Sequence, residues 1–166
     1  MNRLDAIMLF LTENPVGEWI YTALMAMVPV VELRGAIPFG VGVLKLGIWP
    51  SFLASVVGNM IPVPFIIIFI RRIFHWMRQR MPKFDVLVDK LERKAHLKGQ
   101  MVQKYRFLGL CILVAIPLPG TGAWTGALVA AFLDMPLKKA IPSIFVGVVL
   151  AGIIVSALTL GVISIF

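Results

Sequence analysis

Residues 19–46 read WIYTALMAMVPVVELRGAIPFGVGVLKL, and the way this run is interrupted decides the fold. Trp19 to Val31 is thirteen residues without a charge, about 20 Å long as a helix. A bilayer core takes about 20 apolar residues to cross, so this stretch is too short to span. Glu32 and Arg34 follow, then an Ala36-Ile37-Pro38 step and a second short apolar stretch to Leu46. Only after Gly47-Ile48-Trp49-Pro50 does a full-length run appear, Ser51 to Ile70.

The second half of the chain repeats the plan. Phe107 to Ile116 is short, Pro117-Leu118-Pro119-Gly120-Thr121-Gly122 breaks it, and Ala123 to Leu133 returns. Asp134-Met135-Pro136 makes a turn, and a full run extends from Ile141 to Phe166. Pro29 and Pro117 mark equivalent points, as do Pro50 and Pro136. Two short helices meeting at a Pro/Gly break describe a re-entrant hairpin that enters the membrane, reaches mid-depth and leaves by the same face. The expected breaks are Pro29 and Pro38 in the first hairpin, and Pro117, Pro119, Gly120 and Gly122 in the second. Non-helical backbone at that depth is tolerated only inside protein or beside a water-filled cavity. Each tip must therefore pack against something, most simply the other tip. The competing reading is an ordinary bundle of six spans with proline kinks, which would need severe local thinning of the bilayer.

Composition agrees with a membrane location. Of 166 residues, 60% are hydrophobic and 14% charged, against roughly 45–50% apolar and about 25% charged in soluble domains. A single cysteine, Cys111, excludes a disulfide scaffold. The formal net charge of +8 belongs to one segment, Arg71 to Arg106, where eleven Lys/Arg face three acids; the rest of the chain is neutral. Nucleic-acid binding would need a recognisable module or stacking aromatics beside that charge, and neither is present. The charge instead marks the cytoplasmic side by the positive-inside bias. With 71–106 inside, the first hairpin opens outward and the second opens inward, where Lys138 and Lys139 sit.

The expected architecture is thus an all-α integral membrane protein with two inverted repeats. Each is a re-entrant helical hairpin followed by a transmembrane helix, and a cytoplasmic amphipathic helix joins them. Within the single membrane domain, 1–16 reads as an interfacial helix, with Leu4, Ile7, Met8 and Leu11 on one face. Residues 17–70 form the first repeat, 71–106 the basic cytoplasmic segment and 107–166 the second repeat. Phe84, Leu87, Val88 and Leu91 give the cytoplasmic segment its apolar face, suited to anionic lipid.

Few residues can carry chemistry. Glu32 and Arg34 are the only ionisable groups in the first tip, and charges at the bilayer centre are normally paired or face an aqueous cavity. They read either as a structural ion pair or as a working pair, Glu32 exchanging a proton and Arg34 binding an anion. The second tip has no charge but offers Thr121, Trp124 and Thr125 and the free amides of a helix N-terminus. Asn59 lies near the middle of the first span, as an interhelical hydrogen-bonding group or a ligand. No nucleophile–base pair, phosphate loop or metal spacing appears, so the chain reads as no enzyme, with no cofactor or metal.

The stretch 31–38, VELRGAIP, together with 117–126, PLPGTGAWTG, resembles the small multidrug export protein family, over nearly the whole chain. That family is similar to the DedA (SNARE-associated, VTT-domain) membrane proteins. The resemblance implies two opposed re-entrant hairpins, proton-dependent transport or undecaprenyl-phosphate recycling, and a bacterial or archaeal cytoplasmic membrane. Glu32 matches the acidic residue of the DedA first hairpin, and Gly58-Asn59 resembles the Gly-Asp that follows it. The arginines expected in the second hairpin are missing, since 117–126 holds no charge.

The leading expectation is a small proton-coupled transporter exporting a small or amphipathic substrate through a midplane site between the tips. The alternatives are a translocase of an anionic lipid such as undecaprenyl phosphate, and a non-transporting membrane scaffold. Expected partners are membrane lipid, the substrate and protons, with no nucleic acid. Six short elements give one chain little surface with which to enclose a site, and a homodimer would supply more.

Overall fold

A computed structural model describes residues 14–80, 99–118 and 121–165. Among them every regular element is a helix. The interfacial helix expected over 1–16 lies mostly outside the described residues, as do much of the amphipathic helix and Pro119 and Gly120.

Helix α1, Pro15–Met27, opens with proline in its first turn, where the missing N–H costs nothing. It stops because Pro29 forces the residue before it out of helical geometry; Val28 is extended, at φ −73° and ψ 128°. After a four-residue tip the chain re-enters helix as α2, Glu32–Gly42. Pro38 does not interrupt the helix as expected but sits inside α2. Its missing N–H and ring bulk relieve one hydrogen bond to the Arg34 carbonyl without stopping the helix. Helix α3, Ile48–Met60, and helix α4, Pro62–Arg80, follow with a junction at Ile61.

The second half has helix α5, Gly99–Ala115, halted ahead of Pro117, then α6, Ala123–Phe132, and α7, Leu137–Ile165. Helices α4 and α5 both run into the basic segment, since the expected span limits at Ile70 and Phe107 fall inside them. Two stretches are long and apolar enough to cross a membrane: Ile48–Ile73 and Leu137–Val162, with mean hydropathies of 2.2 and 2.5. Their outward faces carry Val57, Phe65, Ile68, Phe69, Ile153, Ile154 and Leu158, all exposed. So much contiguous apolar surface belongs in lipid rather than water.

The short helices pair antiparallel. Tyr21 at the middle of α1 meets Phe39 in the last turn of α2, ring centroids 5.6 Å apart. Arg106 in α5 hydrogen-bonds the Leu133 carbonyl just past the end of α6, at 3.3 Å. Each pair packs on the long helix that follows it: α1 and α2 on α3, α5 and α6 on α7. The returning helices also cross over, α2 packing on α7 and α6 on α4. The core lies around α6 and α7, where Ala123, Ala127 and Ala130 admit Ile37, Val63, Ile67, Val114, Ile144 and Val148. Small residues let helices approach closely where no hydrophobic effect drives them together.

Two pairs of residues, one member in each half of the chain, do similar structural work. Gly58 in α3 touches the α1 backbone so closely that a Cβ would overlap Ala23; Gly147 in α7 does so against Cys111 and Val114 of α5. Lys45 and Asp134 end the returning helices in left-handed conformation, at φ 57° and 50°. The Asp134 turn closes with Met135 N–H bonded to the Ala130 carbonyl at 2.9 Å and Asp134 N–H to Ala131 at 3.2 Å, a Schellman cap. Arg71 braces it, donating to the Met135 carbonyl and approaching the Asp134 carboxylate at 3.5 Å.

Candidate functional site

The remaining positive φ values among the described residues are at the tips, Glu32 at 47° and Gly122 at 135°. Both begin a returning helix. Glycine takes that geometry freely; a glutamate held there stores strain of about 1–3 kcal/mol, which the surroundings must impose.

They impose it by bringing the tips together. The Glu32 carboxylate lies over Gly122, so close that any Cβ at 122 would overlap it. Glu32 Oε1 accepts from the Trp124 backbone N–H at 3.4 Å, which seats an anion at the N-terminus of α6, where helix amides and dipole favour it. Arg34, two residues further along α2, reaches the other side of the same break. Its guanidinium donates to the Leu118 carbonyl, to the Thr121 carbonyl at 2.5 Å and to Thr121 Oγ1 at 2.9 Å, with Ile116 O at 3.5 Å. These carbonyls follow the C-terminus of α5, where a cation is favoured. The two charges thus complement the two ends of one interrupted helix. Their direct contact is loose, 4.0 Å between Arg34 Nη2 and Glu32 Oε2.

The second tip returns the contact. Trp124 Nε1 donates to the Met27 carbonyl at 3.0 Å, capping the end of α1 as Arg34 caps the end of α5. Thr121 Oγ1 ties its own loop, donating toward the carbonyls of Ile116 at 2.6 Å and Leu118 at 2.8 Å. The Glu32 side chain is 5% exposed and that of Arg34 20%, so the acid is enclosed and the base is open on one side.

A sequence model of the family described as "Putative small multi-drug export protein" matches residues 32–154, well over half of the chain and beginning at the tip glutamate. The chain belongs to that family. No curated protein and no solved structure matches it. A membrane protein of this export family accords with the two membrane-capable helices and the apolar outer surface.

Arg34 opens into a cavity of about 430 Å³ between α2, the second tip and α7, lined by Arg34, Pro38, Pro117, Val155, Leu158 and Thr159 among others. Thr159 turns its hydroxyl inward to the Val155 carbonyl, at 2.8 Å, so Arg34 supplies the charge of an otherwise apolar space. Of the residues the sequence singled out, Glu32, Arg34, Thr121 and Trp124 meet here, with Pro117 on the cavity wall. Pro29 shapes the first tip. Thr125 is half-buried on α6 next to them. Asn59 sits on α3, 1% exposed, with neither amide atom bonded to any described residue. Sequence reasoning overlooked Ser51 and Ser55, both 0% exposed one and two turns before Asn59 on α3, and likewise without a hydrogen-bond partner among the described residues. Their spacing of four was the available clue.

Proposed function

We propose that this export-family protein is a small proton-coupled secondary transporter, working at the meeting of two re-entrant hairpins that belong to inverted repeats. The observation that carries the reading is the insertion of Glu32 and Arg34 between the two ends of one broken helix. Discontinuous helices meeting at mid-depth are how many transporters build a substrate site. The repeat is supported by the paired glycines Gly58 and Gly147, the paired left-handed turns at Lys45 and Asp134, and the matching crossover packing. Its inverted sense is supported by Arg71 and Arg106 gathering at the α6–α7 turn, with basic residues marking the cytoplasmic face of a bacterial or archaeal membrane.

On this reading Glu32 and Arg34 are coupled through the break. A proton on Glu32 turns the carboxylate into a neutral acid and weakens its hold on the α6 amides. The first tip can then shift, and Arg34 can exchange its carbonyl partners for a substrate in the adjoining cavity. Loss of the proton restores the contact. Thr121 and Thr125 supply hydroxyls on the facing side. Reconstituted protein tests this with ethidium as the amphipathic probe and trapped pyranine reporting internal pH. Ethidium movement driven by an imposed pH gradient, with matching proton movement, should vanish in Glu32→Gln. Equal fluxes in that variant and the parent contradict the reading.

A second reading is favoured by one feature, a cation at the mouth of an apolar cavity along α7. That arrangement suits an amphiphile with an anionic head, as a translocase of a lipid phosphate would need. A fluorescent isoprenyl phosphate flipped without a pH gradient, and not flipped by Arg34→Gln, would select it. A protein that moves neither probe and loses only thermal stability in both variants would be a scaffold.

A further inference from the structure

We infer that Ser51, Ser55 and Asn59 form a water-bearing polar lane along α3, by which protons pass between the α2–α3 turn and Glu32. The three lie four residues apart and so on one face, and all are buried, at 0%, 0% and 1% exposure. Four of their polar atoms, the two hydroxyls and both amide atoms of Asn59, have no partner among the described residues. Buried polar groups are satisfied by protein or by ordered water. Successive positions are about 6 Å apart along the helix, a gap that one water bridges with two ordinary hydrogen bonds.

The other half of the molecule shows that packing does not require them. Lys45 and Asp134 on one side, and Gly58 and Gly147 on the other, fix the register between α3 and α7 at 89 residues. In that register Ser51, Ser55 and Asn59 correspond to Ala140, Ile144 and Val148, each 0% exposed. The same buried row, in the same place, is entirely apolar. A helix that could be filled with aliphatic side chains has instead kept polar ones on its inner face.

The lane leads toward the tip charges. Gly40 of α2 sits on Ser51, where a Cβ would come within 2.6 Å of the hydroxyl. Counting antiparallel in four-residue steps from that contact sets Ala36 beside Ser55 and Glu32 level with Asn59. Glu32 and Arg34 are the ionisable groups at the inner end. Glu18 in the first turn of α1 and Lys45 in the α2–α3 turn stand at the outer end. In this conformation the outer end is shut by Gly40 and the Thr22 methyl, which lies 3.3 Å from the position of a Gly40 Cβ. Entry from that end requires α2 to move away from Ser51. The use of the lane rests on the reading of Glu32 as the proton carrier; its hydration does not.

Thiol reactivity tests the hydration directly, because methanethiosulfonates attack water-exposed, ionised thiols. In a Cys111→Ala background, single cysteines are placed at 51, 55 and 59 and at 140, 144 and 148, and the proteins are reconstituted in liposomes. The charged, membrane-impermeant reagent should modify the α3 cysteines at least tenfold faster than the α7 cysteines, slowing from 51 to 59. Comparable rates in the two rows overturn the lane. A second variant guards against misfolding: Ser51→Ala/Ser55→Ala removes both hydroxyls without adding volume beside Gly40 and should fold as well as the parent. Combined with Asn59→Cys, it should cut the reactivity of that deep thiol at least tenfold, and unchanged reactivity again overturns the lane. Reactive thiols beside proton movement insensitive to Glu32→Gln would uphold the lane and defeat the proton-carrier reading. Inert thiols beside Glu32-dependent movement would do the reverse.

Discussion

The two tips share a skeleton and differ in chemistry. Each begins a returning helix with a residue at positive φ, Glu32 in the first and Gly122 in the second. Each then sends a donor into the carbonyl end of the other tip's incoming helix, Arg34 toward Ile116 and Leu118, and Trp124 to Met27. The second tip achieves this with a glycine in an easy conformation and an uncharged indole. The first uses a glutamate in a strained conformation and a charged arginine. The proposed working role of Glu32 and Arg34 draws on this difference, although the same two side chains also bind the second tip. The buried rows teach the same lesson: Ser51, Ser55 and Asn59 against Ala140, Ile144 and Val148. Among the described residues five buried polar side chains, Thr22, Glu32, Ser51, Ser55 and Asn59, lie in the first half, against Ser143 and Thr159 in the second.

Breaking the asymmetry at its centre should have the largest effect. Gly122→Val adds a β-branched side chain at φ 135°, where its Cβ would overlap the Glu32 carboxylate. The tips should separate, at a cost above about 3 kcal/mol as overpacking and backbone strain add, read as lost folded yield and a large fall in Tm in detergent. The reciprocal change, Glu32→Gly, makes the first tip resemble the second. It should relieve the left-handed strain and leave Tm within a few degrees of the parent, while abolishing pH-driven ethidium movement. Collapse of Glu32→Gly would show the carboxylate to be structural after all.

The skeleton should respond in both halves, but more at Gly58. A Cβ there would run into the Ala23 backbone, whereas at Gly147 it would meet the Cys111 carbonyl and the Val114 side chain. Gly58→Ala and Gly147→Ala each push a methyl into a facing helix, costing about 1–3 kcal/mol apiece. Thermal unfolding that penalises one and spares the other would break the correspondence between the halves. The reciprocal donors should differ only in degree. Arg34→Ala removes charge-assisted bonds to the second tip, for a loss of about 1.5–3 kcal/mol, whereas Trp124→Phe removes one neutral bond worth about 0.5–1.5 kcal/mol. Unfolding midpoints of the two variants give the order, and only Arg34→Ala should alter substrate movement.

How much of this was legible in the sequence follows from what each residue type reports locally. Pro29 and Pro117 announced the breaks because proline acts on the residue just before it. The clustering of cations over 71–106 marked one end of the molecule. Pro38 misled, because a proline within a packed membrane helix finds relief from its neighbours rather than ending the helix. The limits of α4 and α5 were missed because Lys and Arg are good helix formers, so helix continues to Arg80 and from Gly99 after hydropathy has fallen. Glu32 and Arg34 stood out as charges in an apolar run, but their partners are backbone carbonyls and amides some 90 residues away, which no side-chain pattern encodes. Ser51 and Ser55 were overlooked because a lone serine barely dents hydropathy; only burial without a partner gives it meaning.

The central claim is that the two hairpins enter and leave on opposite faces of the membrane. It is tested most directly by single cysteines in a Cys111→Ala background at exposed positions, Val16 and Gly47 flanking the first hairpin and Lys139 after the second. Treated with an impermeant maleimide in intact cells, Val16→Cys and Gly47→Cys should both label from outside, and Lys139→Cys only after the membrane is opened. Labelling of position 16 or 47 only from inside would put the first hairpin on the wrong face. Labelling of Val30→Cys, at the exposed first tip, only from inside would mean that α1 and α2 each span the bilayer. Either result would contradict the account.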